Sequence, residues 1–233
     1  MEQSNTTKSS ILFFWYKWYN LDMIKKIIKE NYIYIISIIA LIIIFNIVKN
    51  STLYDKILAF DKKIIGYRMS IQNEPLTIIF KNITFFGDYY IPVLIIVCIF
   101  IFYKKKSLAY VNAVNYISVI AVTFITKIIV NRARPEFNLI AIPDKYSFPS
   151  GHTLTSIVFY TFLCYVATKN RKSRKYLLPL VVIVILSISL SRIYLGVHYF
   201  SDVIGAIMLS IPLLKMNINI YEKNIKEVLK WRH

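Results

Sequence analysis

Residues 108–130, LAYVNAVNYISVIAVTFITKIIV, decide the fold, because they form a long apolar run whose single charged residue is Lys127. About 20 apolar residues in an α-helix cross the hydrocarbon core of a bilayer. Although the run is rich in Ile and Val, lipid leaves a single segment few options besides a helix, which satisfies its own backbone hydrogen bonds. The run therefore predicts a membrane-spanning helix.

Similar runs recur along the chain and predict an all-α integral membrane bundle of six transmembrane helices. The predicted spans are Tyr32–Val48, Tyr89–Tyr103, Leu108–Val130, Thr153–Thr168, Tyr176–Leu195 and Tyr199–Leu214. A hydrophobic fraction of 57% and a mean hydropathy of +0.53 argue against a soluble domain. We expect an N-terminal interfacial segment at 1–31, a membrane domain at 32–215 and a cytoplasmic basic tail at 216–233.

The stretch between spans one and two predicts an amphipathic helix in the membrane surface. Its apolar residues recur at roughly helical spacing and alternate with Asp and Lys; they are Leu53, Ile57, Leu58, Phe60, Ile64 and Ile65. The aromatic run at 13–19 resembles an interfacial anchor. For both segments the alternative is that they simply pack on the bundle.

The net charge of +17 raises the possibility of nucleic-acid binding. The basic residues instead form short clusters between apolar runs, which is the pattern of cytoplasmic loops. The clusters at Lys104–Lys106 and Lys169–Lys175 lie on the same side of the predicted bundle as both termini. We therefore expect cytoplasmic termini, no nucleic acid among the partners, and the remaining polar loops on the extracytoplasmic face.

Three cations stand at span ends that would share this outer face: Lys127, Arg134 and Arg192. Lys127 and Arg134 are seven residues apart, which predicts a common helix face, with Pro135 ending the helix just past Arg134. A guanidinium matches phosphate oxygens two at a time, and an ammonium adds a point charge. The alternative for any one of them is snorkelling to the interface.

Span four is predicted to begin with Ser150-Gly151-His152. A helix N-terminus offers unpaired N–H groups and the positive end of a dipole, which together suit a phosphate. Gly151 permits close approach of the backbone to a ligand. Ser150 is also a common N-cap residue, and that role does not exclude a hydrogen bond to an anion.

His198 and Asp202 are four residues apart at the start of span six, so the spacing predicts that they share a face. A carboxylate bonded to one ring nitrogen leaves the other free as a nucleophile, and His152 then remains as a general acid. Two alternatives stay open. The three side chains could bind a metal, or they could form a structural polar cluster inside the bundle.

These residues resemble the three signatures of the type 2 phosphatidic acid phosphatase family: Lys127-x6-Arg134-Pro135, Pro149-Ser150-Gly151-His152 and Ser191-Arg192-x5-His198-x3-Asp202. The resemblance covers roughly residues 55 to 215. The stretch Thr84–Asp88 also resembles a feature of bacterial members. Phe200 departs from the family pattern, where Pro is common, but it lies between the functional positions.

The resemblance implies a role for each residue of the motifs. His198 would attack phosphorus and form a phosphohistidine, Asp202 would orient it, and His152 would protonate the leaving group. The phosphate oxygens would be held by Lys127, Arg134, Ser150, the Gly151 amide and Arg192. It further implies a reaction that needs no divalent metal and no cofactor.

The expected function is a membrane lipid phosphatase acting on a lipid phosphomonoester or diphosphate, with undecaprenyl diphosphate as the first candidate substrate. Phosphatidylglycerophosphate and phosphatidic acid are the alternative substrates, and transfer of the phosphate to an acceptor other than water is an alternative reaction. Oxidation of halides by bound vanadate and a catalytically inactive scaffold or transporter are the alternatives from other classes. The expected partners are the lipid phosphate and membrane lipids, and the oligomeric state stays open.

Overall fold

A computed structural model describes residues 21–103, 106–141, 145–168 and 171–225. Within these ranges the chain forms α-helices and no β-strand. The helices are α1 Leu21–Lys49, α2 Thr52–Ile71, α3 Glu74–Phe85, α4 Tyr90–Phe102, α5 Ser107–Val130, α6 Gly151–Thr155, α7 Thr161–Ala167, α8 Arg171–Tyr194 and α9 Phe200–Ile220. The aromatic run at 13–19 and the end of the basic tail lie outside the described residues.

Four helical segments are long and apolar enough to cross a membrane: Ile24–Lys49, Ser107–Val130, Lys172–Tyr194 and Phe200–Lys223. α3 and α4 give a fifth if they count as one span, bent by 46° at a short break. α6 and α7, joined by a π-helical turn, form a shorter apolar rod. The all-α, multi-pass membrane architecture is confirmed, whereas the count of six spans stays a prediction.

The end of α5 differs from the sequence-based expectation. The helix stops at Val130 because Asn131 adopts the left-handed conformation, with φ 48° and ψ 49°, and its N–H donates to the Lys127 carbonyl at 2.9 Å. Asn tolerates this region better than most residues, so it serves as a C-cap. The prediction that the helix runs to Pro135 and places Lys127 and Arg134 on one face is therefore wrong.

The loop from residue 131 to 150 folds back on itself before it enters α6. Ala133 and Tyr146 form an isolated antiparallel bridge, and the Ser147 N–H donates to the Arg132 carbonyl at 2.8 Å. Phe148 is buried, and its ring packs edge-on against Phe45 of α1 at 4.8 Å between centroids. These contacts fix where Ser150 and His152 begin the next helix.

The polar helix ends meet at one end of the bundle. The N–H of Ser150, before α6, donates to the carbonyl of Asp202 in α9 at 3.2 Å. Arg192, in the last turn of α8, donates to the Thr84 hydroxyl of α3 at 2.6 Å. Lys49 at the end of α1 donates to the Asn131 carbonyl at 3.1 Å. These hydrogen bonds join three helix junctions at one end of the bundle. We call this end the polar layer; it contains Lys49, Thr84, Asn131, Ser150, Arg192 and Asp202.

α2 corresponds to the predicted surface helix, but its buried side chains are charged. Asp61 and Arg68 are 0% and 3% exposed, while Leu53 and Phe60 are about half exposed. Arg68 donates to the Phe137 carbonyl at 2.8 Å, which ties α2 to the loop that follows α5. The side of α2 that packs on the bundle therefore includes two charged residues, and the position of α2 relative to the membrane surface stays a prediction.

The core lies along α1, α5, the α6–α7 rod and α9, and its fully buried side chains include Val119, Leu154, Phe159 and Leu209. Further from the polar layer, Asn217 of α9 donates to Asn115 of α5 at 2.7 Å. Hydrogen bonds between polar side chains hold helices together in lipid, where apolar contacts alone give little driving force.

Gly205→Ala is expected to lower the free energy of unfolding by about 1–3 kcal/mol, as overpacking does. A Cβ at Gly205 would lie 2.3 Å from two ring atoms of buried Phe148. The matched control is Gly66→Ala in α2, where a Cβ would meet nothing within 4 Å. We expect that control to stabilise the helix slightly, because Ala has the higher helix propensity. Equal melting temperatures for the two variants in detergent micelles would contradict the close packing of Phe148 against Gly205 of α9.

Candidate active site

His198 lies buried between a carboxylate and a guanidinium. Its Nδ1 is 3.4 Å from Asp202 Oδ2, and its Nε2 is 3.4 Å from Arg134 Nη1. Nδ1 finds no hydrogen-bond partner among the described residues, so the contact with Asp202 is close but not a regular hydrogen bond. Catalytic hydrogen bonds are often long without substrate and shorten when it binds. The ring therefore presents Nδ1 to the carboxylate and Nε2 to the cation.

A tight junction between α8 and α9 holds the ring in this position. Gly196 has φ +71°, which only glycine adopts easily, and the N–H of Val197 turns back to the Arg192 carbonyl at 3.2 Å. Asp202 then accepts the Tyr199 N–H on Oδ2 at 2.9 Å, as in a capping box. Histidine and carboxylate are thus fixed by the start of the same helix.

The three predicted cations reach this site from three elements. Arg134 donates to the Val197 carbonyl at 2.7 Å, next to His198. Lys127 donates to the Tyr146 carbonyl at 2.7 Å, across the folded loop. Arg192 is 4% exposed and donates to Thr84. All three act electrostatically on His198, so they surround the imidazole although they do not share one helix face.

The cations and the buried position keep the His198 imidazole neutral. Burial is the largest cause, and the positive charges of Arg192, Arg134 and Lys127 add to it, so the pKa of His198 falls well below 6.5. A lowered pKa means that the unprotonated ring, with a free lone pair, predominates at neutral pH. Such a ring can act as a nucleophile without first losing a proton.

The second histidine pairs with a different carboxylate. His152 Nε2 is 2.9 Å from Asp88 Oδ1, and Asp88 Oδ2 accepts the Tyr90 hydroxyl at 2.9 Å. Asp88 lies in the break between α3 and α4. A Cβ at Gly87 would lie 2.7 Å from Ile188 and 2.9 Å from the His152 ring, so a larger residue would push the ring away.

Ser150 and Gly151 stand where the sequence places them, at the start of α6. Ser150 is fully buried, and its Oγ accepts the Thr153 hydroxyl at 3.0 Å. No side-chain capping hydrogen bond forms from Ser150 within the described chain, which differs from the simple N-cap interpretation. The nearest contact of a Cβ at Gly151 would be Thr123 at 3.5 Å, so the backbone there stays open to close approach.

Sequence reasoning missed four residues of this layer. Asp88 and Thr84 lie in the stretch Thr84–Asp88, which resembles a feature of bacterial members but for which the sequence predicts no role. Arg132, two residues before Arg134, bridges Asp202 and Asp61, with Nη···Oδ distances of 2.6 and 2.7 Å. The run NRARP at 131–135 contains two arginines, and this pair could have indicated a role for Arg132. Nothing in the sequence distinguishes Asp61 from Asp55, the other acidic residue of α2.

A metal interpretation gains no support from the described side chains, because no group of three or more His, Cys, Asp or Glu residues there is arranged to hold a metal ion. His152 contacts Asp88, while His198 faces Asp202, so the two histidines belong to separate pairs. Independence from metal remains a prediction.

The chain resembles proteins of known family. Residues 107–226, more than half of the chain, match the family model of the PAP2 superfamily. Phosphatidylglycerophosphatase B of Bacillus subtilis is 30% identical over 101 residues, which cover 42% of this chain and about half, 49%, of that protein. Undecaprenyl-diphosphatase of Sulfolobus acidocaldarius is 25% identical over 179 residues, which cover 72% of this chain and 82% of that protein.

The fold also resembles a solved membrane protein. The crystal structure of a transmembrane PAP2 type phosphatidylglycerolphosphate phosphatase from Bacillus subtilis superposes with a TM-score of 0.71 at 23% identity. The superposition covers 81% of this chain and 97% of that one. The resemblance supports the arrangement of the helices described above.

The His198 ring is expected to titrate with a pKa well below 6.5. The chain has three histidines, so histidine-labelled protein in micelles gives few ring signals, which His152→Ala and His198→Ala assign. The measurement is the pH dependence of the ring chemical shifts in nuclear magnetic resonance. A His198 pKa at or above 6.5 would contradict the cationic surroundings described here.

Proposed function

The chain belongs to the PAP2 superfamily, and we propose that it is a membrane lipid phosphatase that works through a phosphohistidine at His198. One observation carries the proposal: the His198 ring has Asp202 at Nδ1 and the guanidinium of Arg134 at Nε2, each 3.4 Å away. An anion that enters beside Arg134 therefore lies against the ring nitrogen that carries the free lone pair.

In the first step, Nε2 of His198 attacks phosphorus and forms a P–N bond. The bond from phosphorus to the lipid oxygen breaks, and its electron pair goes to the leaving oxygen. Positive charge develops on the imidazole, and the carboxylate of Asp202 at Nδ1 stabilises it. The neutral state of the ring, which its surroundings favour, suits this attack.

His152 is the proposed general acid for the leaving oxygen. Burial lowers the pKa of His152 below its ordinary value. Its contact with Asp88 opposes this effect, because a carboxylate at hydrogen-bond distance favours the protonated ring. In the second step His152 accepts a proton from water, the water oxygen attacks phosphorus, and the P–N bond breaks. Inorganic phosphate leaves and His198 is regenerated.

The proposed phosphate site consists of Lys127, Arg134, Ser150, the Gly151 amide and Arg192. Hydrogen-bond donors that are already fixed in place stabilise the charge of a transferring phosphoryl group without reorganising. Arg192 is held by Thr84 and Lys127 by the Tyr146 carbonyl, so both cations are positioned by the protein. Three positive charges would supply the stabilisation that Mg²⁺ gives in many phosphoryl transferases.

Undecaprenyl diphosphate is the proposed substrate. The relative named undecaprenyl-diphosphatase supports it, because that match extends over 82% of the relative's length. Phosphatidylglycerophosphate is the second candidate, supported by the 30% identity with phosphatidylglycerophosphatase B over about half of that protein. Both substrates present a terminal phosphate on a lipid, which is what the proposed site would bind.

The proposed orientation places both termini in the cytoplasm and the site on the extracytoplasmic face. Lysines and arginines in the loops around residues 104–106 and 169–175 support it, since basic residues concentrate in cytoplasmic loops. The six-span arrangement, with the α6–α7 rod and α4 as full spans, belongs to the same proposal. A lipid phosphate in the outer leaflet would then meet His198 at the membrane surface.

Purified protein in micelles is expected to release inorganic phosphate from undecaprenyl diphosphate in excess EDTA, faster than from phosphatidylglycerophosphate or phosphatidic acid. His198→Ala is expected to lower the rate by about 10³-fold or more, as loss of a nucleophile does. The matched control is His233→Ala, which changes the histidine at the C-terminus.

Each outcome of this comparison bears on one part of the proposal. Activity that EDTA abolishes and added Mg²⁺ restores would contradict the metal-independent mechanism. Faster turnover of phosphatidylglycerophosphate would contradict undecaprenyl diphosphate as the preferred substrate and favour phosphatidylglycerophosphate. Consumption of lipid phosphate without release of inorganic phosphate would indicate transfer to another acceptor.

A further inference from the structure

Behind the proposed catalytic pair lies a buried row of three charges, Asp61–Arg132–Asp202. Arg132 donates from Nη2 to Asp61 at 2.7 Å and from Nη1 to Asp202 at 2.6 Å. The side chains are 0%, 3% and 0% exposed, in the same order. The row joins α2, the loop after α5 and α9, three elements that are far apart in the sequence.

Arg132 is fixed on every side. Its Nε donates to the Tyr54 hydroxyl at 3.2 Å, Nη1 also donates to the Ser201 hydroxyl at 2.7 Å, and the guanidinium lies 4.1 Å from the Tyr199 ring centroid. Burial alone would lower the pKa of Arg132, but Asp202 and Asp61 together hold the pKa above its ordinary value. Arg132 is therefore permanently charged.

The charges of this row matter because the Asp202 carboxylate interacts with two neighbours, Arg132 and His198. Its Oδ1 accepts the Arg132 guanidinium, while its Oδ2 faces His198 Nδ1. A single guanidinium paired with Asp202 would cancel most of the carboxylate's charge as felt by the imidazole. Asp61 supplies a second negative charge on the far side of Arg132, so the row as a whole carries a net charge of −1.

We propose that Asp61 and Arg132 are positioning residues: Arg132 holds the Asp202 carboxylate in place, and Asp61 offsets its charge so that Asp202 remains effectively anionic toward His198. This inference rests on the proposed function, because it assigns Asp202 the task of stabilising the positive imidazole during phosphoryl transfer. Ser201 joins Asp61 to the middle of the row, since its N–H donates to Asp61 Oδ1 at 3.0 Å and its hydroxyl accepts from Arg132 at 2.7 Å.

Charged groups from several elements of the described chain act on His198. Arg134 stands at Nε2, Asp202 at Nδ1, and Lys127, Arg192 and His152 act on the ring from α5, α8 and α6. Four of these five neighbours are cationic or can become so. The negative charge next to the His198 ring therefore comes from Asp202, whose effective charge depends on Arg132 and Asp61 behind it.

The test is the pKa of His198 in three variants, measured by nuclear magnetic resonance of histidine-labelled protein. Asp61→Asn removes a negative charge and is expected to lower this pKa, whereas Arg132→Gln removes a positive charge and is expected to raise it. We expect each shift to be about one unit, and the double variant to return within about half a unit of the unmodified protein. Asp55→Asn, an exposed acid on the same helix, is the matched control and is expected to leave it unchanged.

A purely structural role predicts a different pattern. Loss of packing or of hydrogen bonds would shift the His198 pKa in the same direction in both single variants, or leave it unchanged. Any such shift would be largest in the double variant. Either result would overturn the proposal. If one single variant does not fold, the sign of the shift in the other decides, because a raised pKa in Asp61→Asn or a lowered pKa in Arg132→Gln would overturn the proposal.

Turnover provides the second readout. Asp61→Asn is expected to lower kcat by about tenfold, while the inhibition constant of vanadate, a phosphate analogue, stays within about twofold. Equal losses in turnover and vanadate binding would contradict a role confined to the His198–Asp202 pair. Absence of lipid phosphatase activity in the unmodified protein would refute the proposed function instead, and the titration of His198 would still test the charged row.

Discussion

The polar layer depends on one constraint: charges buried at helix ends in a membrane protein must be neutralised by partners fixed at hydrogen-bond distance. Arg132 between Asp61 and Asp202 satisfies it with two carboxylates. Arg134 and Lys127 bond to carbonyl oxygens of the surrounding loops, and Arg192 bonds to a threonine hydroxyl. These three cations all act electrostatically on His198, and an anionic substrate requires positive charge at that place.

The same constraint explains the division of labour between the two histidines. His198 is surrounded by cations and stays neutral, which suits a nucleophile. Burial also lowers the pKa of His152, but the Asp88 carboxylate opposes that effect and favours a proton on the ring, which suits an acid. The break between α3 and α4 and the junction between α8 and α9 bring these two environments together. Both depend on a glycine at a close backbone approach, Gly87 and Gly196.

Much of this arrangement could be predicted from the sequence, because apolar runs and family motifs are local signals. The predicted apolar runs lie in helical regions, although α3 was not predicted. The three cations and both histidines of the motifs lie together in one polar layer. Other features depend on contacts between distant segments. Asn131 ends α5 before Arg134, which the pattern of apolar residues does not reveal. Asp61 joins the site across about 140 residues of sequence, so only the packing of α2 on α9 shows its partner.

The central claim is that phosphorus passes through a covalent bond to His198, and the most direct measurement is rapid quenching of the protein with lipid phosphate labelled in its terminal phosphorus. The account predicts label on the protein within the first turnover, stable to alkali, lost in acid, and located at His198 by mass spectrometry. It predicts no labelled protein in His198→Ala. Turnover without protein-bound label, or label that is stable in acid on a hydroxyl side chain, would contradict it.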